Sequence, residues 1–507
     1  MQAYFYPIKL EKELTILSIR KMNKLFFILI ALTLSAAVSM AQSNNVSIKG
    51  TSKQYAGFNL SLQHITNYIT NETEEIGNFR VDENGNFSFS MHLDDVTFAF
   101  IDLGVLRGVI YLEPNTHYEI ILPPYTPMKE ADRFNPYFIP ESVIIGINNN
   151  EALALNKAII QFDEEYNYRF NTNAYQLFNK GNTALEKQIV TSLDSLFPFD
   201  DSKFFKSYKK YKYAKLSMLS RKRQQRKVIY EFYSNAPVGF ENPAYWETFN
   251  LLFKNLFSDY FTVSRGKKLK QAFIQGLPFD SLSDIFSTDS LFRKSEFREM
   301  VLLKGLYDAF YSGHYDEERI ITCFQQASQT GSSDKVREIA YAIHKKVNHL
   351  RVGSKAPDFT VFTTSGKEKK LSSFKGKFIY LNFCNTENYT CKKDFQVLNT
   401  MYKQMKRDLT IVSIATDKDP DKLEKFIRKN KYKWNFLYFG DNGNVIFDYD
   451  VIALPGYFLI DPEGNILLSP APAPEENFGA KFYEIVKDYR YKKLRKERPK
   501  EKSIYDL

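Results

Sequence analysis

Cys384 and Cys391 stand seven residues apart in the stretch LNFCNTENYTCKKDF (residues 381–395), and Cys323 is the chain's third cysteine. Thiol–disulfide exchange takes two thiols: a thiolate that attacks, and a second thiol that resolves the mixed disulfide. The position three residues before Cys391, where a CxxC pair would have its first cysteine, holds Asn388. Asparagine cannot attack a disulfide, although it is a good helix N-cap, so NYTC can still open a helix. Half of a redox pair is present and half is missing.

Few other side chains are placed for chemistry. The six histidines form no HExxH and no paired Cys/His spacing, so no metal site is argued. No GxxxxGK loop is present for phosphates, and no cofactor is implied. Cys323 lies on the apolar side of the helical segment ERIITCFQQA and reads as a core cysteine. The formal charge of +10 hints at nucleic acid, but residues 487–502 alone hold nine basic and three acidic residues, which reads as a solvated tail. Tyrosines mix with basic residues in SYKKYKYAKLSMLSRKRQQRK (residues 207–227), which reads as a solvated basic helix face; no nucleic-acid partner is expected.

A chain of 507 residues exceeds one hydrophobic core, so several domains must position these groups. MNKLFFILIALTLSAAVSMAQ, from Met22, has the order of a secretory signal: a lysine, an apolar run from Leu25 to Val38, and small residues before a cut after Ala41. That run is too short for a permanent anchor, since a span takes ~20 apolar residues. The first expected segment is therefore residues 1–41, with no stable membrane span after cleavage and with export to the periplasm or cell envelope. No cysteine follows the cut, so a lipid anchor is not supported.

Residues 42–125 read as an antiparallel β-domain of the sandwich kind. FNLSLQHI alternates apolar and polar residues, and Asn84-Gly85 in RVDENGNFSFSM is a hairpin signal. Residues 126–350 read as a helical domain, with three- and four-residue apolar spacing from about Asn149 onward. Beyond residue 351 strands and helices alternate: KFIYLNFC, TCKKDFQVLNTMYKQM, LTIVSIATD, DPDKLEKFIRKN, then the hairpin ALPGYFLIDPEGNILL. That order gives a mixed sheet flanked by helices.

Residues 351–487 resemble the TlpA/ResA-like branch of the thioredoxin superfamily. The likeness rests on the opening G-x-x-A-P-D-F (Gly353 to Phe359), the Lys-Gly-Lys before the first core strand, L-N-F leading into the loop, and a proline ahead of Y-F-L-I-D-P-E-G-N-I. The β-rich segment ahead of it loosely resembles the N-terminal domains that precede thioredoxin domains in that group. The resemblance implies a multidomain α+β and α/β chain: β-domain, helical middle domain, thioredoxin-like domain over 351–487, and a basic tail over 488–507. It also implies thiol–disulfide exchange with exported proteins or peptides, and a cis Pro455 facing the site, where Leu454 and Pro455 would bind an extended substrate.

In that family the site reads W-C-x-x-C. Matched residue by residue, Asn388 takes the first cysteine's position, Tyr389 and Thr390 complete the loop, and Cys391 is the second cysteine. Asn382 takes the place of a buried aspartate found in many thioredoxins, although this branch often has asparagine there. Three readings stay open: loss of dithiol chemistry with Cys391 a buried small hydrophobe, a new pair between Cys384 and Cys391, or Cys391 acting alone. The peroxiredoxin markers P-x-x-x-T-x-x-C are absent, because Cys384 and Asn388 fill those positions. Whether the chain is an enzyme is left open with them; a redox-inactive module that binds an extended segment is the alternative.

Overall fold

The computed structural model describes residues 45–497 except 129–137, 199–201, 222–223, 418, 440–442 and 452. The expected signal region lies outside the described residues. Among the described residues, no helix is long and apolar enough to cross a membrane.

Among the described residues, the N-terminal domain is a β-sandwich of nine strands: β1 (Asn45–Thr51), β2 (Asn59–Asn67), β3 (Glu72–Arg80), β4 (Asn86–His92), β5 (Thr97–Leu103), β6 (Leu106–Leu112), β7 (His117–Ile121), β8 (Glu141–Ile144) and β9 (Gly146–Ile147). Its sheets have the orders β4-β1-β7-β9 and β3-β2-β5-β6-β8. Alternate residues such as Val46 and Ile48, or Leu60 and Leu62, turn inward to a shared core. Three expectations are corrected. The sandwich runs past residue 125 to Ile147, because β8 pairs with β6 and β9 with β7, so the helical domain starts at Asn150 and not at 126. The sheets are not wholly antiparallel, since β1·β7 and β6·β8 are parallel. Asn84-Gly85 closes no in-sheet hairpin, because β3 and β4 belong to different sheets. The chain turns that corner because Phe79 and Phe87 meet between the sheets at 5.0 Å. Asp82 Oδ1 accepts from the Asn84 and Asn86 N–H groups at 2.9 and 2.7 Å. Gly85 has φ +89° there, and a Cβ would lie 2.8 Å from the Ser52–Lys53 backbone.

Among the described residues eleven α-helices follow, from α1 (Asn150–Phe178), α2 (Thr183–Leu196) and α3 (Lys203–Ser220) through α4 (Gln225–Phe232), α5 (Pro243–Leu252), α6 (Leu256–Tyr260), α7 (Lys267–Gln275), α8 (Phe279–Phe286) and α9 (Ser295–Ser312) to α10 (Glu317–Thr330) and α11 (Asp334–Val347). They enclose an aromatic core around Trp246, Phe249 and Phe297. Cys323 is buried in that core, and burial pushes its thiol up to about 11. The expectation of a solvated basic face on α3 is wrong. Lys209 and Lys212 are buried and pair with Asp194 at 3.1 Å and Asp163 at 3.2 Å. Their ammonium groups lie over aromatic rings, Lys212 5.2 Å from the Tyr166 centroid and Lys209 5.7 Å from that of Phe205.

The C-terminal domain has a seven-stranded sheet of order β11-β10-β14-β13-β12-β15-β16. Its strands are β10 (Thr360–Phe362), β11 (Glu368–Lys370), β12 (Phe378–Cys384), β13 (Leu409–Ala415), β14 (Asn435–Tyr438), β15 (Gly456–Ile460) and β16 (Ile466–Leu468). Around it lie α12 (Tyr389–Met405), α13 (Pro420–Asn430), α14 (Asn444–Asp448) and α15 (Phe478–Glu497). β12 is buried throughout, as its unbroken apolar run requires of a central strand with parallel β13 on one side and antiparallel β15 on the other. Phe378, Tyr380 and Cys384 face α12 and α15, while Ile379, Leu381 and Phe383 face α14. The last helix runs ten residues past the expected domain end at Lys487, and Phe478, Phe482, Val486 and Tyr489 pack on the domain at helical spacing.

Candidate functional site

β12 ends at Cys384, and the loop from Asn385 carries the chain into α12, which its N-cap Asn388 opens. The Asn388 carboxamide oxygen accepts the Cys391 N–H at 3.1 Å, satisfying one of the unpaired amides of the first turn. Asn385 Oδ1 accepts from the Glu387 N–H at 2.8 Å. The Thr386 N–H reaches both Asp417 oxygens at 3.2 and 3.1 Å, and its hydroxyl also donates to Asp417. Asp417 lies just beyond the C-terminal end of β13, so the loop is tied to the neighbouring strand. Tyr389 is 80% exposed and Thr390 is exposed, whereas Cys391 is fully buried.

Both thiols are enclosed. Cys391 Sγ accepts the Asn385 N–H at 3.4 Å, which favours the thiolate, but burial outweighs that bond. With Asp394 and Asp417 adding repulsion, the Cys391 thiol is pushed up to about 11. Burial likewise holds Cys384 well above the usual thiol range, with Cys391 and Asp417 contributing, and its thiol is directed at the Ile414 carbonyl, 3.7 Å away. At pH 7 a thiol near 11 is ionised in about one molecule in ten thousand. The two cysteines share one buried cluster and both are free thiols.

The other expected residues converge on the same end of the sheet. Gly456 pairs with Phe383, so Leu454 and Pro455 lie beside the Cys384 end of β12, and the Leu454–Pro455 bond is cis. Leu454 is half-buried against the packing on both faces of the sheet. Tyr457 stacks on Tyr380 with ring centroids 5.2 Å apart, and its hydroxyl donates to Asp394 Oδ2 at 2.6 Å. Asn382 is buried; its Nδ2 donates to the Phe383 carbonyl at 3.4 Å, and its Oδ1 has no partner among the described residues.

The residues that sequence reasoning missed are Thr386, Asp394, Asp417 and Tyr457. A signal existed: Asp417 is the last letter of LTIVSIATD, at the strand end where α/β sheets gather their sites, and Asp394 lies one helical turn after Cys391. Burial raises both carboxyls above their usual range, Asp394 against the pull of its Tyr457 bond and Asp417 against that of Thr386. Among the described residues, no three His, Cys, Asp or Glu side chains gather as metal ligands.

Comparison with known proteins places this domain. The AhpC/TSA family model matches residues 352–469. The thiol-disulfide oxidoreductase ResA of Bacillus subtilis is 34% identical over 155 residues, which cover 29% of this chain and 86% of that protein. The chain belongs to the ResA-like thiol-disulfide oxidoreductase family. The ResA of Bacillus thuringiensis subsp. konkukian is 31% identical over 123 residues, 24% of this chain and 70% of the relative. Among solved structures, the thioredoxin domain of a thiol-disulfide oxidoreductase from Bacteroides vulgatus is 26% identical, covering 26% of this chain and 96% of that one with a TM-score of 0.25. The AhpC/TSA match lies within the C-terminal domain, where the site just described lies.

Proposed function

We propose that the chain is an exported protein of the ResA-like lineage whose C-terminal domain has lost ordinary two-thiol exchange and holds an extended protein segment beside Pro455. One observation carries this reading. At the position that the family resemblance gives to the attacking thiol, the Asn388 carboxamide caps α12, while the remaining Cys391 is fully buried with its thiol pushed up to about 11. A half-buried Leu454 and the exposed Tyr389 flank the same sheet end and supply apolar contact for a bound segment.

Disulfide-reductase assays on the wild type and on Cys391→Ser test the loss of chemistry. Equal background rates support it; turnover in the wild type that Cys391→Ser abolishes would sink it. A second reading is favoured by the closeness of the two residues: Cys391 Sγ accepts the N–H of Asn385, the residue after Cys384, and both cysteines pack in one buried cluster. Acid-quenched alkylation with a mass tag, before and after reduction, decides that point. Three free thiols in both samples exclude a bridge, and one rising to three shows that a disulfide was present. Peptide mapping then shows whether Cys384 and Cys391 form it.

A further inference from the structure

The basic end of the chain belongs to no site described so far. α15 spends one face on the domain: Phe478, Phe482 and Val486 are buried, and Tyr489 packs beside them. Arg490 pairs with Asp408 at 2.7 Å, which fixes the helix against the turn before β13. At 100° per residue, Tyr483, Lys487, Tyr491 and Leu494 fall within an arc of about 80° on the opposite side. Tyr483, Tyr491 and Leu494 are 72%, 67% and 64% exposed. Lys487 lies within that arc, Arg495 and the acids Glu484 and Asp488 follow one edge of it, and Lys492 and Lys493 point to other sides of the helix; all six are exposed.

The same end of the domain adds more positive charge. The Phe378 N–H bonds the Asp408 carbonyl at 3.1 Å, and Lys377 Nζ donates to the Lys406 carbonyl at 3.1 Å. Exposed Lys377, Lys406 and Arg407 therefore border the start of β12, next to the helix. Two exposed tyrosines and a leucine around Lys487, with Arg495 and the rim of Lys377, Lys406 and Arg407 outnumbering Glu484 and Asp488, form the pattern of a surface that lies in a lipid headgroup layer: rings and leucine enter the boundary, and long cationic stems reach anionic phosphates. An acidic protein partner would use the charges but leave the apolar stripe without a role.

We propose that the outer face of α15, with the basic rim at the start of β12, docks the protein on an anionic lipid leaflet. The orientation follows from the strand. Phe378 and Cys384 are opposite ends of the seven-residue β12, about 20 Å apart, so docking at the first leaves the Asn388–Pro455 region facing away from the lipid.

Co-sedimentation with vesicles tests this, using the chain from Gln42 onward, which keeps every described residue. Phosphatidylcholine vesicles are compared with vesicles containing phosphatidylglycerol, at low and high salt. Binding is expected only with the anionic lipid and falls with salt. The triple variant Lys406→Glu/Arg407→Glu/Lys487→Glu should lose about a hundredfold or more in partitioning. Tyr491→Ser/Leu494→Ser should lose a smaller factor that salt does not mimic. All five positions are exposed, and matching thermal unfolding of the variants confirms that each is folded. Equal binding to both vesicle types, no binding to either, or variants that bind like the wild type would overturn the proposal. Capture by an acidic polypeptide with no vesicle binding would also overturn it, in favour of a protein partner.

Discussion

At its Phe378 end β12 is closed by aromatic rings, and at its Cys384 end by side-chain hydrogen bonds. Phe378 meets Phe482 and Tyr489 with ring centroids 5.5 and 5.1 Å apart, and Tyr380 stacks on Phe478 at 3.9 Å. At the other end Asn385, Thr386 and Asn388 fix the loop through Glu387, Asp417 and the Cys391 amide. The first end draws its stability from buried area, the second from polar groups matched one to one. The Asn385 and Thr386–Asp417 ties do not involve residue 388, so they can hold the loop with an asparagine or a thiol there.

The contrast breaks most visibly at the aromatic end. Tyr380→Ala should destabilise the C-terminal domain by about 3–5 kcal/mol, the usual cost of emptying a buried aromatic site. The change removes its stacking on Phe478 and Tyr457 and leaves the Pro472 carbonyl without the Tyr380 hydroxyl that now donates to it at 2.6 Å. Urea unfolding followed by Trp434 fluorescence in a Trp246→Phe background reads this domain separately from the helical one, because Trp434 lies in the packing under α12. A loss below about 1 kcal/mol would mean that the rings are not what holds this end.

At the polar end the informative change adds function. Asn388→Cys places a thiol at the N-cap of α12, where the dipole and free amides favour a thiolate, and Cys391 follows three residues on to resolve. Lowering a thiol pKa by roughly four units raises the thiolate population about ten-thousandfold at pH 7, and the accompanying loss of nucleophilicity returns about half of that in logarithmic terms. A gain of about a hundredfold in disulfide reduction over wild type is expected. If the variant stays at background, the loop has lost more than its nucleophile; if wild type already matches it, the loss proposed at Asn388 is wrong.

The legibility of the sequence divides along similar lines. The C-terminal elements were readable because each carries its own period: KFIYLNFC became β12, and DPDKLEKFIRKN became α13 with Asp419 as its cap. Cys384, Asn388, Cys391 and Pro455 were readable because their types and order carry the family likeness, and the fold brings them to one end of the sheet. What was not readable depends on partners distant in the chain. Asn84-Gly85 looks like a hairpin turn locally, and only the meeting of Phe79 and Phe87 between two sheets makes it a corner. Nor does any local pattern say that Lys209 and Lys212 of α3 are buried, since their partners Asp194 and Asp163 lie on two other helices. Asp417 escaped for the same reason: its importance comes from Thr386, 31 residues earlier.

The pH dependence of the polar end sharpens the comparison further. Burial raises the Asp417 carboxyl above the usual range despite its Thr386 bonds. A carboxyl raised in the folded state contributes fully below its unfolded pKa, near ~3.9, and that contribution is lost as pH rises through the folded value. Asp417→Asn removes this titration. The stability of wild type relative to the variant should therefore decline as pH climbs from the ordinary carboxylate range toward neutrality. A difference that instead grows with pH would mean that the Thr386 bonds outweigh burial. Tyr380→Ala, which leaves the Asp417–Thr386 pair intact, serves as the pH control.

The smallest effect separates the two roles of Asn388. As a cap it satisfies a single amide, so Asn388→Ala should cost about 1 kcal/mol, within the ~0.5–2 kcal/mol range of such caps. Asn388→Asp should recover that loss, since its carboxylate accepts the same bond and sits favourably at the helix N-terminus. The Asp variant should not become a reductase, because a carboxylate is no more able than a carboxamide to attack a disulfide. Native-state alkylation of Cys391 provides the readout: the Ala variant loosens the first turn and speeds labelling, whereas the Asp variant leaves it near the wild-type rate. Were Asn388→Ala to label no faster than wild type, the enclosure of Cys391 would rest on the Asn385–Thr386–Asp417 ties alone, and the cap would be incidental to the buried thiol.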